Sequence, residues 1–386
     1  MTSILRAVGP EAIISLDGTI YNIGGVNSSI PRAYFNRTDS RFTSDLNAFK
    51  YHSYVTSKPK APFPYKPMRG SPQTIIWPPK GINVAFQFVA PPTARNSHKD
   101  VVVTVHYELY QGIPLLAKWV TVVDNGKPVS GKEIKVAVEC VEYLAVNEQW
   151  AKLGADSRNI LTDAGWLYVE TDQAHGTAVN WMVDPSQAIM YGSFETVMNC
   201  SYSPMPVVPL GPTGFQSFRV HELVIGSNDP ERSALARHRM FRLLAPHTQE
   251  NPIFFHMTDS TPNAVKKIID QMAEVGFEML IYSFGSGFDI ESTNDTYIQE
   301  LASIVKYAHS KGIEVGGYDL ISLTRNTPNP KWMALDPSTN KSIGSACFAS
   351  EWYDYLLDKF VTFINKTGKY KFFFSSCIHY CILLFV

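Results

Sequence analysis

The sequence lacks any excess of basic residues. Lysine and arginine together number 34 and aspartate and glutamate 35, which leaves a formal net charge of -1 over 386 residues. Proteins that bind nucleic acid or an anionic membrane surface concentrate positive charge on a patch or stripe. We therefore expect neither a nucleic-acid partner nor a membrane partner.

The sequence is also poor in the patterns that hold metals and cofactors. The five cysteines, which show no zinc-binding spacing, are Cys140, Cys200, Cys347, Cys377 and Cys381. None of the ten histidines falls at a ligand interval. No glycine-rich loop has phosphate-cradling spacing, and no Gly-x-Ser-x-Gly elbow occurs. These absences predict a protein with no metal, no cofactor and no fully paired disulfide framework.

An apolar signal segment is missing from the start of the chain. Asn-x-Ser/Thr sequons nevertheless occur six times, against about three expected by chance from the composition. These glycosylation candidates are Asn27, Asn36, Asn199, Asn294, Asn340 and Asn365. The sequons favour a secreted or lysosome-like protein whose true start is missing, whereas the bare N-terminus leaves a cytoplasmic protein as the alternative.

Residues 12–225 carry short β-branched and aromatic runs separated by Gly, Pro and Asp turns. The most legible stretch predicts a strand over 101–110, a turn over 111–114 and a returning strand over 115–124. Strands of this length need a second sheet to cover their apolar face. We therefore predict a large antiparallel β-sandwich as an N-terminal domain, residues 1–228.

The pattern changes after residue 228. A helical linker is predicted over 229–250, capped by Asp229 or Asn228. Residues 251–386 then alternate strand and helix at the lengths of a parallel α/β fold. Its strands are predicted over 253–257, 277–284 and 313–320, with helices between them and a third helix closed by Gly368.

Reactive groups in a parallel α/β barrel stand at the carboxyl ends of the strands and on the loops that follow. That rule selects six candidate substrate-binding residues: Asp259, Asp289, Tyr318, Asp319, Arg325 and Trp332. Carboxylates there can accept hydrogen bonds from pairs of sugar hydroxyls, and the aromatic rings can stack on a sugar ring.

Each candidate also has an ordinary structural interpretation. Asp259 precedes Thr261 and Pro262 and could cap a helix, while Asp289 and Arg325 could be solvated loop residues. Tyr282, at the end of the second strand, is expected in the core. Asp319 is harder to explain as packing, because it directly follows an otherwise apolar strand.

Residues 301–319 resemble the second helix and third strand of α-galactosidase-type glycoside hydrolases, including a Tyr-x-His-Ser-Lys-Gly turn and the terminal Tyr318 and Asp319. The hairpin over 101–124 is similar to the large sandwich that precedes the barrel in one branch of that clan. The resemblance implies a mixed β and α/β fold, a β-sandwich followed by a partial TIM (β/α)8 barrel. It also implies an O-glycosyl hydrolase acting on α-linked sugars, with Tyr318 and Asp319 lining the sugar subsite.

The sequence departs from the family where catalysis is expected. The resemblance places the nucleophilic aspartate at the end of strand four and the acid/base aspartate at the end of strand six, but no acidic residue follows Gly368. A retaining glycosidase needs two carboxyl groups about 5 Å apart. The catalytic residues are therefore unknown and expected beyond the end of a truncated, inactive chain; a non-enzymatic carbohydrate-binding protein is the alternative.

The apolar tail after Gly368 has three interpretations. Gly368 to Tyr370 can be encoded with a splice-donor sequence, so we predict intron read-through, which transcript sequencing would test. A real, buried fourth strand is the alternative, since residues 372–374 are all phenylalanine. A membrane tail or lipid-anchor signal is a minor possibility, because residues 372–386 fall short of the ~20 that span a bilayer.

Overall fold

The computed structural model divides into two compact units, residues 1–66 with 74–246 and residues 67–73 with 247–386. The structure describes residues 10–27, 43–67, 75–126, 133–147, 150–152, 157–162, 165–172, 179–184, 195–202, 207–249, 252–283, 285–322, 327–336, 338–348, 350–368, 371–376 and 380–384. The predicted domain division at 1–228, 229–250 and 251–386 stays a prediction.

The first unit consists of antiparallel β-strands and one long helix. The strands are β1 (Ala12–Leu16), β2 (Thr19–Ile23), β3 (Val26–Asn27), β4 (Thr43–Ser44), β5 (Lys50–Ser57), β6 (Gly81–Val89), β7 (Val101–Tyr110), β8 (Leu115–Asp124), β9 (Lys135–Cys140), β10 (Glu142–Asn147), β11 (Trp150–Lys152), β12 (Ser157–Thr162), β13 (Gly165–Thr171), β14 (Val179–Asp184), β15 (Glu195–Tyr202), β16 (Val208–Pro209), β17 (Phe215–Gln216) and β18 (Val220–Ile225). The helix is α1 (Pro230–Leu244).

The largest sheet has the order β11-β12-β13-β18-β8-β7-β6-β5, with β17 also paired to β8. A four-stranded sheet, β16-β9-β1-β2, supplies the apolar side chains that pack against it. Ile14 and Val138 of the small sheet share a core with Val105 and Val120 of the large one. Because strand side chains alternate between faces, one set of alternate residues in β7 and β8 fills this core. The large antiparallel β-sandwich and its hairpin at 101–124 are thus confirmed.

Helix α1 covers the other face of the large sheet. Its buried Met240 packs with Trp119, Tyr168 and Leu223. The predicted cap is confirmed, because the Asp229 side chain accepts a hydrogen bond from the backbone N–H of Arg232. Helix α1 therefore also covers the polar side chains on this face of the sheet.

The second unit alternates strands and helices. Its elements are β19 (Phe254–Met257), α2 (Pro262–Val275), β20 (Met279–Tyr282), α3 (Asp295–Ser310), β21 (Glu314–Leu320), β22 (Met333–Leu335), β23 (Ser342–Ala346), α4 (Trp352–Thr367), β24 (Lys371–Ser376) and β25 (Tyr380–Leu384). Strands β19, β20, β21 and β24 are parallel and adjacent in that order, and β25 pairs antiparallel with β24.

Helices α2, α3 and α4 pack on one face of this parallel sheet. Leu280 and Val315 of the strands share a core with Val265, Ile304 and Phe363 of the helices. Helices α2 and α4 end at glycines with positive φ, Gly276 at 86° and Gly368 at 81°, as predicted from their positions. The predicted alternation of strand and helix is confirmed.

The predicted starts of the second and third strands, at residues 277 and 313, were too early, and both for the same reason. The backbone N–H groups of Gly276 and Phe277 donate to the carbonyl of Met272, so Phe277 closes α2 and cannot begin β20. Likewise the N–H of Ile313 donates to Ala308 and completes the turn after α3. Residues that end a helix this way satisfy its last carbonyls.

The stretch after Gly368 forms a strand, β24, beside β21, which was the alternative in the sequence analysis. The transcript prediction is not tested by this arrangement and stays a prediction. Within the described part of the chain, no helix combines the length and apolar character needed to cross a membrane.

Candidate functional site

The carboxyl ends of β19, β20 and β21 lie side by side, because the three strands are parallel neighbours. Asp259 follows β19 in an exposed position. Its Oδ1 accepts a hydrogen bond from the backbone N–H of Thr261 at 2.8 Å, and this bond lowers the pKa of the carboxyl group. Thr261 itself occupies the cap position of α2. Asp259 thus shapes the entry to the helix while its carboxylate remains accessible.

Tyr282 ends β20 and is fully buried, as predicted. Its ring stacks on Phe288, with 5.6 Å between ring centroids and an interplanar angle of 5°. Among the described residues its hydroxyl has no hydrogen-bond partner. Burial, with a smaller contribution from Tyr297, raises the pKa of this hydroxyl. Tyr282 is therefore a core residue rather than a ligand contact.

Asp289 is exposed in the loop between β20 and α3. Its Oδ1 accepts from the backbone N–H of Glu291 at 2.9 Å, and its own N–H donates to the hydroxyl of Tyr297 at 2.8 Å. The loop is held in one conformation by these bonds. The carboxylate of Asp289 stands at the same edge of the sheet as Asp259.

Near the end of β21, the side chains of Tyr318 and Asp319 point to opposite faces of the sheet. Val315, four residues before Asp319, packs in the helix-facing core. A Cβ atom at Gly317, two residues before Asp319, would meet the ring of Phe288 at 2.5 Å. Alternation along the strand therefore puts Asp319 on the helix side. Asp319 is 6% exposed, and its Oδ1 accepts from the N–H of Leu320 at 2.8 Å. Tyr318 lies on the opposite face.

The face that carries Tyr318 also carries His256 of β19. Their ring centroids are 5.7 Å apart in an edge-to-face arrangement of 83°. The sequence analysis missed His256. A sequence signal was available, because His256 alternates with the apolar residues Phe255 and Met257, which are partly buried and buried, respectively, on the helix-facing side.

The remaining two candidates do not join this group. Trp332 packs against Trp352 and Tyr355, with ring centroids 6.4 and 5.3 Å away, and its indole N–H donates to Glu351 at 3.0 Å. Its ring is engaged in the core of the second unit. Arg325 lies outside the described residues. The described residues contain no group of three His, Cys, Asp or Glu side chains placed to hold a metal ion.

A second set of polar residues is buried in the first unit and escaped the sequence analysis. Lys118 and Glu142, each 1% exposed, form an ion pair at 3.1 Å. The Lys118 ammonium also donates to the backbone carbonyl of Glu11 at 2.6 Å. The only signal was a lysine within the otherwise apolar strand over 115–124. A buried charge of this kind requires a partner.

On the opposite face of the same sheet, aromatic and charged groups of β7 and β8 pack with Arg219, which directly precedes β18. His106 lies parallel to Trp119 at 4.7 Å between centroids, and the Arg219 guanidinium lies 4.2 Å from the same ring. Glu108 accepts from the Tyr110 hydroxyl at 2.7 Å and lies 3.8 Å from Arg219. Burial, reinforced by Arg219, lowers the pKa of His106 to about 4. Glu108 and Arg219 thus each have a partner of opposite charge within the first unit.

Comparison with solved structures identifies the architecture. An α-galactosidase from Lactobacillus brevis matches with a TM-score of 0.54 and 12% sequence identity, over 89% of this chain and 54% of that chain. The fold of this chain is similar to part of the GH36 α-galactosidase fold. GH36 AgaB from Geobacillus stearothermophilus matches with a TM-score of 0.56 and 12% identity, over 94% of this chain and 61% of that chain. A variant of GH36 AgaA from the same organism, in complex with stachyose, matches with a TM-score of 0.56 and 12% identity over 86% and 54%.

The resemblance inferred from residues 301–319 is thus confirmed as a GH36-type, glycoside-hydrolase-like fold. The chain spans little more than half the length of these GH36 structures. No protein-family model and no curated protein matches its sequence. At this level of identity the likeness concerns the fold, and the activity has to be argued from the residues.

Proposed function

We propose that this chain binds an α-linked sugar at the carboxyl ends of β19, β20 and β21. The observation that carries the proposal is the contact between His256 and Tyr318 on one face of the sheet, beside the loops that hold Asp259 and Asp289. Ligands of parallel α/β sheets bind outside the carboxyl ends of the strands. The GH36 fold gives the ligand class, since AgaA variants of that fold were solved with stachyose and with raffinose.

Each residue has a distinct role in this proposal. The ring of Tyr318 packs against the C–H face of a sugar, and His256 beside it offers a ring nitrogen to a hydroxyl. Asp259 and Asp289 accept hydrogen bonds from sugar hydroxyls. Asp319 is buried on the helix side, so we assign it the support of the strand end that carries Tyr318.

We further propose that the four parallel strands are the first four of a (β/α)8 barrel. Their sequential order, with a helix between each pair, supports this. The register pairs Asp319 with Phe374 and Leu320 with Ser375, so β24 presents no carboxylate beside the end of β21. The resemblance places the nucleophile at that strand. We therefore propose that the chain binds its sugar without hydrolysing it.

Binding is tested by titrating the chain with raffinose and stachyose, using sucrose as the sugar that lacks galactose. Tyr318→Ala and Asp319→Ala should each weaken binding by roughly 1–3 kcal/mol, the first through the lost ring contact with the sugar and the second through the lost hydrogen bond that holds the strand end. Asp336→Ala is the matched control, because Asp336 is a partly exposed loop acid whose side-chain hydrogen bonds stay within its own turn among the described residues. Equal affinity of Tyr318→Ala and the unaltered chain would refute the site. Release of galactose would refute the non-hydrolytic assignment.

Export as a glycoprotein is a separate part of the proposal. Asn294, Asn340 and Asn365 are all exposed, which leaves them accessible to a glycosyltransferase. Asn36 lies outside the described residues. Expression through a secretory pathway followed by endoglycosidase treatment should increase electrophoretic mobility, and an unchanged mobility would contradict the assignment.

A further inference from the structure

The first unit carries a row of aromatic rings on the core-facing side of its large sheet, at the β5 edge. Tyr51, Tyr54, Phe86 and Tyr107, which we call the aromatic platform, belong to the neighbouring strands β5, β6 and β7. Phe86 lies 6.3 Å from Tyr51, 6.2 Å from Tyr54 and 5.9 Å from Tyr107, measured between ring centroids. We propose that this platform is a second saccharide-binding site, separate from the strand ends of the other unit.

A local irregularity in β5 builds the platform. Tyr51 pairs with Phe88 and Tyr54 pairs with Phe86, so the register shifts by one residue between Tyr51 and Ser53. Without that shift, residues three apart would point to opposite faces. A bulge re-aims side chains in this way. It places two tyrosines on one face, where they remain 55% and 59% exposed.

The platform borders a pocket of about 560 Å³. Three platform residues, Tyr51, Phe86 and Tyr107, line it together with Glu11, Phe88, Val105 and Leu116. This volume is within the range of roughly 300–1,000 Å³ that small-molecule sites occupy. The pocket combines exposed ring faces with a single carboxylate, which is the composition that takes a ligand with apolar faces and polar edges.

The carboxylate of Glu11 is held in place at the wall of the pocket. Its side chain is 38% exposed and lies 3.8 Å from the ammonium of Lys118, and it accepts a hydrogen bond from the hydroxyl of Tyr107. Lys118 is in turn fixed by buried Glu142. A carboxylate has about four lone-pair sites and can accept from several donors at once, so a carboxylate held at a pocket wall suits a pair of sugar hydroxyls.

A saccharide fits these features better than a quaternary ammonium ion, which also binds to aromatic rings beside a carboxylate. An ammonium site needs rings that surround one point within about 6 Å. Here the rings stand on adjacent strands of one sheet and form a row, which presents an extended surface rather than a cage. An extended row suits the successive rings of an oligosaccharide.

The experiment uses the full chain with His256→Ala and Tyr318→Ala already introduced, so that the platform is tested apart from the strand-end site. Raffinose, stachyose, maltose and cellobiose are each titrated and followed by ligand-observed NMR. Tyr51→Ala with Tyr54→Ala should weaken binding about tenfold or more. Tyr51→Phe with Tyr54→Phe keeps the rings and should retain most of it. Glu11→Gln should weaken binding by a smaller factor.

Tyr353→Ala is the matched control, because Tyr353 is an equally exposed tyrosine, on α4 of the other unit; it should leave affinity unchanged. The proposal is overturned if no saccharide binds in the doubly substituted background, if the alanine pair binds as well as the phenylalanine pair, or if tetramethylammonium displaces the sugar. If the strand ends bind no sugar in the chain that keeps His256 and Tyr318, while the platform still binds, the proposed function alone is refuted.

Discussion

The two units each contain a close ion pair, but the pair is buried in the first unit and exposed in the second. In the first unit, Lys118 and Glu142 are both buried within the sandwich. In the second unit, Asp270 and Lys311 form a pair of similar length, 3.0 Å, with both side chains more than two-fifths exposed. A buried pair is costly to break because the remaining charge cannot be solvated, whereas an exposed pair can be replaced by water. Breaking these two ion pairs should therefore cost different free energies of unfolding, although their N–O distances are similar.

The largest expected effect comes from breaking the buried pair. Lys118→Met leaves Glu142 charged inside the sandwich, and should lower the free energy of unfolding by about 3–5 kcal/mol. Adding Glu142→Leu removes the stranded charge and should restore most of the loss. Urea denaturation followed by tryptophan fluorescence measures both. If the double variant is as unstable as Lys118→Met, the cost lies in packing rather than in charge.

Acid should weaken the first unit through its buried histidines. Burial, with a smaller contribution from Arg219, lowers the pKa of His221 to about 3, so the unfolded chain binds this proton at a pH where the folded chain does not. Stability then falls as the pH drops from about 6.5 toward 3, on the order of 3 kcal/mol by pH 4. Burial raises the pKa of Glu108, which acts in the opposite sense.

The contribution of His221 is isolated by His221→Gln. This variant should flatten the dependence of the melting temperature on pH between 7 and 4. His309→Gln serves as the control, because His309 is partly exposed on α3, in the other unit. An unchanged slope in His221→Gln would contradict the assignment of this proton to His221.

Packing in the second unit is tested at Gly317. A methyl group there would stand 2.5 Å from Cε1 of Phe288, so Gly317→Ala should cost about 1–3 kcal/mol through displacement of that ring. Combination with Phe288→Leu should recover part of the loss. Gly211→Ala has open space around the new methyl group and should be close to neutral. Similar midpoints for Gly317→Ala and Gly211→Ala would show that the ring moves freely.

The smallest effect is expected at the exposed pair. The Asp270 carboxylate accepts from the Tyr307 hydroxyl at 2.6 Å and pairs with Lys311. Asp270→Asn should leave the denaturation midpoint unchanged within error, because solvent screens both charges. A clear destabilisation in the same urea assay would remove the contrast between the two units.

Local features were predictable from the sequence, and contacts between distant segments were not. Alternation and turn residues defined the hairpin of β7 and β8 to the residue, and Asp229 was readable as a cap. The ion pair between Lys118 and Glu142 joins β8 to β10, which are neighbours neither along the chain nor in a sheet. No local sequence periodicity therefore reveals this pair.

In the candidate site, the sequence likewise identified positions but not the directions of their side chains. Position at the end of β21 identified both Tyr318 and Asp319, but which of them faces the helices depends on the packing of Val315 and Phe288. A shift of one residue exchanges the two faces of a strand. Local alternation in β19 offered a signal for His256, but its contact with Tyr318, 62 positions later in the chain, has no local signal.

The irregularity between Tyr51 and Ser53 has one more consequence. Among the strands that the structure describes, β5 is the last on its side of the nine-stranded sheet, and the outer N–H and C=O groups of an edge strand are a template on which another polypeptide could add. A bulge interrupts the even spacing of those groups, and Lys50 at the start of the strand adds a charge. The residue shift that presents two tyrosines to a ligand therefore also guards this edge against self-association into extended β-assemblies.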